Sequence, residues 1–118
     1  MNNPLLSFLG ITKKSGNIIF GMDSVKEKIR DGSICLVLLA SDISKNSLKE
    51  ILAFANEYNV KTIAINHTKE DLEVAIGKYA AIIGISNENF SKKIISITSE
   101  ESSQKTLKDN QGEFNLWW

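Results

Sequence analysis

The sequence predicts an α/β fold, a three-layer α/β/α sandwich built around a mixed sheet of about four strands. The strongest observation is the apolar run from Ile34 to Ala40, because an unbroken run of this length is typical of a strand covered on both faces. Short strand-like segments also alternate with segments of helical periodicity, which favours a sheet layered between helices. With 118 residues, of which 42% are hydrophobic, the chain is long enough to bury one core.

The N-terminal segment predicts a helix, a short strand and a second helix. Pro4 suits the first turn of a helix, and an apolar stripe at helical spacing follows it as far as Ile11. Residues 15–17 interrupt this stripe, and residues 18–20 form a very short apolar segment that ends at Gly21. A second helix is expected to end near Gly32, with an apolar face formed by Met22, Val25 and Ile29.

Capping signals predict where the later helices begin. Residues 47–50 and 68–71 each begin with Ser or Thr and end with an acid, the pattern of a capping box. Strands are expected over residues 60–65 and 81–85. A last helix is expected from about Asn89, with the apolar residues Phe90, Ile94, Ile95 and Ile97 buried.

The composition changes after the last predicted helix. We expect residues 1–98 to form the domain and residues 99–118 to form a polar tail that ends in an aromatic segment. Between residues 99 and 113 acids outnumber bases four to two, which is typical of a segment leaving the core. Trp117 and Trp118 are candidates to dock a protein partner or a second copy of the chain, or to pack back on the domain.

The single cysteine and the absence of long apolar segments predict a cytoplasmic location. Cys35 lies within the apolar run and is expected to be a buried strand residue. One cysteine excludes an internal disulfide and agrees with a reducing compartment. No segment approaches the roughly 20 apolar residues that cross a bilayer, and the N-terminus lacks the pattern of a signal peptide.

Nothing in the sequence predicts an enzyme. His67 is the only histidine and is expected at a loop or pre-cap position, without a cysteine or second histidine at metal-ligand spacing. The chain has no Gly-rich phosphate loop, no HExxH motif and no nucleophile elbow. We therefore expect no catalytic activity, no metal and no cofactor.

Local charge is more informative than net charge, which is zero. From Lys13 to Arg30 there are five basic and two acidic residues, an excess of three positive charges. Gly21 precedes a predicted helix start, and the free N–H groups and dipole of such a start attract phosphate. The alternative for this segment is a solvated helix face with ordinary turn glycines.

Several segments occur together in an order that resembles a known family. They are residues 5–21 (LLSFLGITKKSGNIIFG), 36–42 (LVLLASD), 58–60 (YNV) and 72–78 (LEVAIGK). Together they resemble the ribosomal protein L-seven-Ae/L-thirty-e superfamily, most closely its short bacterial YlxQ-like branch, over residues 4–98. No single one of these segments is specific for the family, but their combination in this order and spacing is. The tail lies outside the resemblance.

The resemblance implies a non-catalytic protein that binds kink-turn RNA, an internal loop with tandem sheared G·A pairs, in ribosome assembly or translation. The partner would be a structured RNA, such as a kink-turn or a related rRNA or mRNA element. Family members read the G·A pairs with the loop and helix start after the first strand, and a second loop covers an extruded base. Carried over to this sequence, the two elements are residues 21–27 and 77–81. With Lys14 and Asn17, which precede the first element, the expected RNA-binding residues are Lys14, Asn17, Gly21, Asp23, Ser24, Lys26, Glu27, Gly77, Lys78 and Tyr79.

The first of these elements departs from the family pattern. Asp23, Ser24 and Glu27 stand where the family carries an Asn, a Glu or Gln, and a Lys. An ionised Asp only accepts hydrogen bonds, and a Glu in place of Lys repels phosphate. Two alternatives remain open: Ser24 and Glu27 form a capping box, and the chain is a protein-interaction module that has lost kink-turn recognition. Tyr79 either stacks on an unpaired base or packs against the sandwich edge.

Overall fold

The computed structural model describes residues 3–105 and has the predicted architecture of helices on both faces of a four-stranded mixed sheet. The elements, in chain order, are α1 (Pro4–Lys14), β1 (Ile18–Phe20), α2 (Met22–Arg30), β2 (Leu36–Leu39), α3 (Lys45–Glu57), β3 (Lys61–Ala64), α4 (Lys69–Ile76), β4 (Ile82–Ile85) and α5 (Glu88–Lys105). None of these helices is long and apolar enough to span a membrane.

The sheet has the strand order β1-β4-β2-β3. β2 and β3 are parallel and are joined by α3, whereas β4 runs antiparallel to both β1 and β2. The side chains of β2 alternate between the two faces: Leu36 and Leu38 join one core cluster, and Val37 and Leu39 join the other. The continuous apolar run was therefore a correct indication of a strand buried on both sides.

The two cores divide the helices into two layers. The apolar faces of α1, α4 and α5 cover one side of the sheet, and those of α2 and α3 cover the other. Gly84 of β4 sets the distance between α2 and the sheet. A Cβ there would lie 2.9 Å from Ile34 Cδ1 and 3.3 Å from Val25 Cγ2, so only glycine lets Val25 pack this closely.

Helix ends agree with the sequence predictions at some positions and contradict them at others. The Thr68 capping box is confirmed: Asp71 N–H donates to Thr68 Oγ1 at 3.0 Å, and Thr68 N–H donates to Asp71 Oδ2 at 2.9 Å. The box predicted from Ser47 is wrong, because α3 begins at Lys45 and is capped by Ser44, whose side chain accepts from Ser47 N–H. The local pattern had the right chemistry but began three residues too late.

The capping box predicted at Ser24 is also wrong. α2 begins at Met22, directly after Gly21, so Ser24 is the third helical residue and cannot be the N-cap. Gly21 has φ 97° and ψ 153°, a backbone conformation that is essentially restricted to glycine. The strand–helix junction therefore depends on the backbone of Gly21 and not on a capping side chain.

Three further expectations differ from the structure. Cys35 is exposed and lies one residue before β2, although its neighbours Ile34 and Leu36 are both buried. Phe90 and Ile95 are half-buried rather than buried, whereas Ile94 and Ile97 are buried as predicted. α5 continues to Lys105, so the domain boundary predicted at residue 98 falls inside a helix. Trp117 and Trp118 lie outside the described residues.

Candidate nucleic-acid interface

Three helices begin at the same end of the sheet. β1, β2 and β3 all end there and β4 begins there, and three backbone bonds hold the segments together. Gly21 N–H donates to Ile82 O, Ala40 N–H donates to Ala81 O, and Ser41 N–H donates to His67 O, each at 2.9 Å. We call this region, residues 20–23, 40–45, 66–69 and 79–82, the helix-start end. The opposite end of the sheet, residues 14–17, 31–35 and 86–88, is the far end.

The three helix starts differ in how their first N–H groups are satisfied. Ser44 caps α3, Thr68 caps α4, and Asp42 Oδ1 accepts from Lys69 N–H at 3.0 Å. α2 has no side-chain cap among the described residues. Its first-turn N–H groups are therefore available to an external acceptor, and the helix dipole adds a partial positive charge there.

An exposed aromatic side chain and two lysines lie toward the same end of the sheet as this helix start. Tyr79 keeps 62% of its surface exposed, and Lys69 Nζ lies 5.5 Å from the centre of its ring. Lys78 Nζ lies 5.6 Å from the ring of Phe20, the residue before Gly21. These are cation–π distances. The arrangement combines an exposed ring, two cations and free backbone donors on one surface.

Gly77 connects this surface to α1. It ends α4 in the left-handed conformation, with φ 78°, which suits a helix C-terminus. Lys13 Nζ lies 3.9 Å from the position that a Cβ on Gly77 would occupy, so a cation of α1 reaches the negative end of the α4 dipole.

Lys14 and Asn17 lie at the far end of the sheet, separated from Gly21 by β1. Three strand residues span about 10 Å. The Asn17 side chain donates to Ser15 Oγ at 2.9 Å and accepts from Ser86 Oγ at 3.3 Å, so its amide is part of the local structure. The site predicted from sequence is thus divided between two ends of the molecule.

Lys26 points away from the helix start toward α3. Its Nζ lies 2.7 Å from Glu50 Oε2 and 5.0 Å from the ring of Phe54. Arg30 also lies over Phe54, at 5.3 Å, and Tyr58 packs on the same ring at 5.0 Å between centroids. Lys26 therefore has a structural role in holding α2 to α3.

Asp23, Ser24 and Glu27 are exposed on α2. Asp23 and Glu27 are four residues apart and therefore lie on the same face of the helix. Asp23 in the first turn is favourable for the α2 dipole. The helix thus presents two carboxylates beside its positively polarised start, and Lys26 of the same helix is paired with α3.

Lys69 was missed by the sequence prediction, although a signal for it was present. It follows the Thr68 cap directly, and parallel strands joined by helices bring successive helix starts to the same end of a sheet. His67 occupies the predicted pre-cap position. Within residues 3–105 no group of three His, Cys, Asp or Glu side chains is arranged to hold a metal ion.

Comparison with known proteins gives the family. A sequence model of the Ribosomal protein L7Ae/L30e/S12e/Gadd45 family matches residues 5–95. The chain belongs to this family. The RNA-binding protein YlxQ of Bacillus subtilis (strain 168) is 30% identical over 90 residues, which cover 75% of this chain and 89% of that protein.

Solved structures show the same fold. A protein with unknown function from Bacillus halodurans C superposes with a TM-score of 0.77 and 25% identity, over 83% of this chain and 99% of that one. A 15.5kD RNA binding protein of Giardia lamblia superposes with a TM-score of 0.67 and 16% identity, over 81% and 82% of the two chains. At this identity the second likeness shows the fold alone.

Several of the similar proteins are indole-3-glycerol phosphate synthases, and each similarity covers about a third of the enzyme or less. The indole-3-glycerol phosphate synthase of Pyrococcus furiosus is 33% identical over 66 residues, which are 56% of this chain but 29% of the enzyme. The chain thus spans less than a third of the synthase.

Proposed function

We propose that this protein is a non-catalytic, cytoplasmic RNA-binding protein that recognises structured RNA of the kink-turn type in ribosome assembly or translation. The observation that carries the proposal is the uncapped start of α2 at Gly21, at the same end of the sheet as Lys78 and the Lys69–Tyr79 pair. Membership of the family supports the same function.

The helix-start end gives a neutral chain a way to attract phosphate. The dipoles of α2, α3 and α4 all place their positive ends there, each equivalent to about half an elementary charge. Lys69 and Lys78 add two full charges to this end. A phosphate group approaching Gly21 meets backbone N–H donors without steric hindrance, since glycine has no side chain.

Tyr79 is suited to an unpaired base. Its ring is mostly exposed and carries a lysine ammonium at one face, and structured RNA is recognised largely through bases that leave the stack. An aromatic ring that accepts such a base contributes about 1–3 kcal/mol to binding. We assign Tyr79 to the base, Lys69 and Lys78 to the adjacent phosphates, and the α2 start to the internal loop.

A second candidate function, a protein-interaction module without kink-turn recognition, is favoured by one observation. α2 presents Asp23 and Glu27 to solvent and directs Lys26 to Glu50. Phosphate would be repelled by the two carboxylates, whereas a basic protein surface would be attracted. The two functions predict opposite results in one binding measurement.

The test is a titration of the whole chain with a short kink-turn RNA and with a continuous duplex of the same length and charge. The proposed function predicts tighter binding of the kink-turn. The Lys69→Ala/Lys78→Ala variant should weaken that binding and flatten its log–log salt dependence by roughly 1.5, since two phosphate contacts are lost.

The matched control is Lys14→Ala/Lys92→Ala, which removes the same charge at the far end and should leave the slope unchanged. Equal affinity for both RNAs would mean that the protein contacts only the sugar–phosphate backbone of RNA and does not recognise the kink-turn. No binding at micromolar protein would favour the interaction module.

A further inference from the structure

β3 forms one edge of the sheet and has unpaired backbone groups on its outer side. Among the described residues it pairs with β2 alone. Ile65 N–H donates to Leu39 O at 2.9 Å, and alternate residues of a strand bond to the same neighbour. The odd-numbered residues of β3 therefore direct their backbone groups to β2, whereas Thr62 and Ala64 direct theirs outward.

The outer side of β3 is open to a further strand. Lys61 and Ala64 are exposed, and Thr62 and Ile63 are half-buried. Apart from the ladder with β2, no backbone hydrogen bond among the described residues involves Thr62 or Ala64. Free N–H and C=O groups on a strand edge are a template for pairing with another chain. The charges along this edge indicate which chain fits it.

On the α5 side of the sheet, the edge is basic at one end and acidic at the other. Ile63 directs its side chain to this side, and Lys61, two residues earlier, follows the same alternation. Lys61 has no ion pair within the described part of the chain. At the other end of β3, Asn66 lines a cavity together with Glu100 and Glu101. A cation thus lies where β3 begins, and two carboxylates lie close to where it ends.

On the α3 side the charges have the opposite order. α3 runs antiparallel to β3, because it leads from the end of β2 back to the start of β3. Lys45 and Lys49 are exposed in its first two turns, and Glu57 is exposed at its last residue. Leu48 and Leu52 are half-buried on the side of α3 that faces away from α2. This side therefore has a basic end over the end of β3 and an acidic end over its start.

This pattern is complementary to itself when two copies of the edge run antiparallel. A twofold axis at Ile63 places Thr62 opposite Ala64 of the second copy, and these two residues exchange both of their N–H···O bonds. Lys61 then lies opposite residue 65 of the second copy, beside the carboxylates at the acidic end of that edge. Lysine on an edge strand usually prevents pairing, but in this register it meets opposite charge.

We propose that the protein forms a homodimer through β3, in which antiparallel pairing about Ile63 joins two four-stranded sheets into one. α3 of each copy packs against α3 of the other through Leu48 and Leu52. The lysines of one α3 then lie beside the C-terminal end of the other, where Glu57 and the negative end of the helix dipole attract them. Such an interface is isologous, as in most homodimers.

The dimer does not depend on RNA binding, and its tests contain no RNA. Gly21 follows β1, the opposite edge strand. The start of α2 therefore stays open when the two copies of β3 pair.

Sedimentation equilibrium of the full chain measures the association. We expect a dimer mass that falls to the monomer mass on dilution. Thr62→Pro removes an N–H that no bond within the chain uses, and proline is tolerated on an edge strand, so this variant should be a folded monomer. Thr62→Val is the matched control, because it keeps the N–H, and it should dimerise like the parent. A parent that is monomeric at every concentration up to millimolar would overturn the proposal.

Charge exchange between two variants tests the register, whether or not Thr62→Pro folds. Lys61→Glu and Glu100→Lys/Glu101→Lys each place like charges together in their own dimers and should raise the dimer dissociation constant about tenfold. A mixture of the two variants should form a heterodimer of nearly parental affinity, because opposite charges meet again at both ends. Lys92→Glu, on the N-terminal half of α5, is the matched control and should leave the constant unchanged. A mixture that associates no more tightly than each variant alone would overturn the antiparallel register.

Hydrogen exchange followed by NMR locates the interface at single residues. The N–H groups of Thr62 and Ala64 should exchange fast in dilute protein and slowly once the dimer forms. The N–H of Ile65, which is bonded to β2 in one chain, should be protected in both states. A dimer in which Thr62 and Ala64 exchange as fast as in the monomer would overturn β3 as the interface.

Discussion

The two ends of the sheet present opposite backbone groups. At the helix-start end the first N–H groups of α2, α3 and α4 point outward. Side chains cap α3 and α4, whereas the first turn of α2 has no side-chain cap among the described residues. At the far end α1 closes on itself: Gly16 N–H donates to Lys13 O and Asn17 N–H donates to Thr12 O, the Schellman arrangement. Both ends carry glycine and lysine, so residue type alone does not distinguish them. The direction of the helices does.

The largest expected effect comes from placing asparagine at one glycine of each end. Gly21→Asn forces a side chain into a glycine-only conformation and should lower the free energy of unfolding by about 1–3 kcal/mol. Gly16 has φ 80° at the helix C-terminus, where asparagine is tolerated, so Gly16→Asn should cost much less. Urea denaturation measures the free energy of unfolding of both variants. Steric clashes do not complicate the comparison, because a Cβ added at either glycine meets no atom within 4 Å. Equal losses would show that the two junctions are equally permissive.

The next comparison uses the two exposed tyrosines. Tyr79→Ala should weaken kink-turn binding by about 1–3 kcal/mol through loss of base stacking. Tyr58, 38% exposed and packed on Phe54 at the end of α3, is the control, and Tyr58→Ala should change stability but not affinity. RNA titration with both variants measures this, and matching affinity losses would contradict the assignment of Tyr79.

A reversal of charge on α2 should strengthen RNA binding. Glu27→Lys replaces a repulsion by a phosphate contact and should steepen the salt dependence of binding by about 0.9. Glu57→Lys makes the same change near the C-terminus of α3 and should have little effect. A Glu27→Lys variant that binds RNA no better than the parent would place the RNA away from α2.

The smallest expected effect lies at the far end and concerns pH. Hydrogen bonds from the side chain and backbone of Ser33, aided by the charge of Lys28, hold the pKa of Asp31 below its ordinary value of 3.8. A lowered pKa in the folded state contributes stability at neutral pH, and this contribution is lost as pH falls through that pKa. NMR titration of Ser33→Ala should show the Asp31 pKa rising, with RNA binding unaffected. An unchanged pKa would mean that Ser33 is not its cause.

The sequence predicted those features that depend on neighbouring residues. The buried run of β2, the Thr68 cap and the glycine after β1 are local signals, and all three correspond to structure. Lys26 could not be interpreted in this way, because its partner Glu50 is on another helix. Lys14 and Asn17 were grouped with Gly21 by proximity in sequence, whereas the strand between them carries them to the other end of the sheet. Cys35 was expected inside the buried strand, whereas it lies directly before β2 and is exposed between the buried residues Ile34 and Leu36.

The register of β1 also has a consequence for synthesis of the protein. Ile18 of the short edge strand pairs with Ile85 of β4, and β4 is also the strand that joins β1 to β2. The parallel β2–β3 pair can form once β3 has left the ribosome, but β1 cannot pair until β4 is synthesised. A nascent chain halted before residue 82 would therefore leave β1 unpaired and the core around Leu5 and Leu9 without Ile83 and Ile94, so apolar surface would stay exposed for as long as the halt lasted.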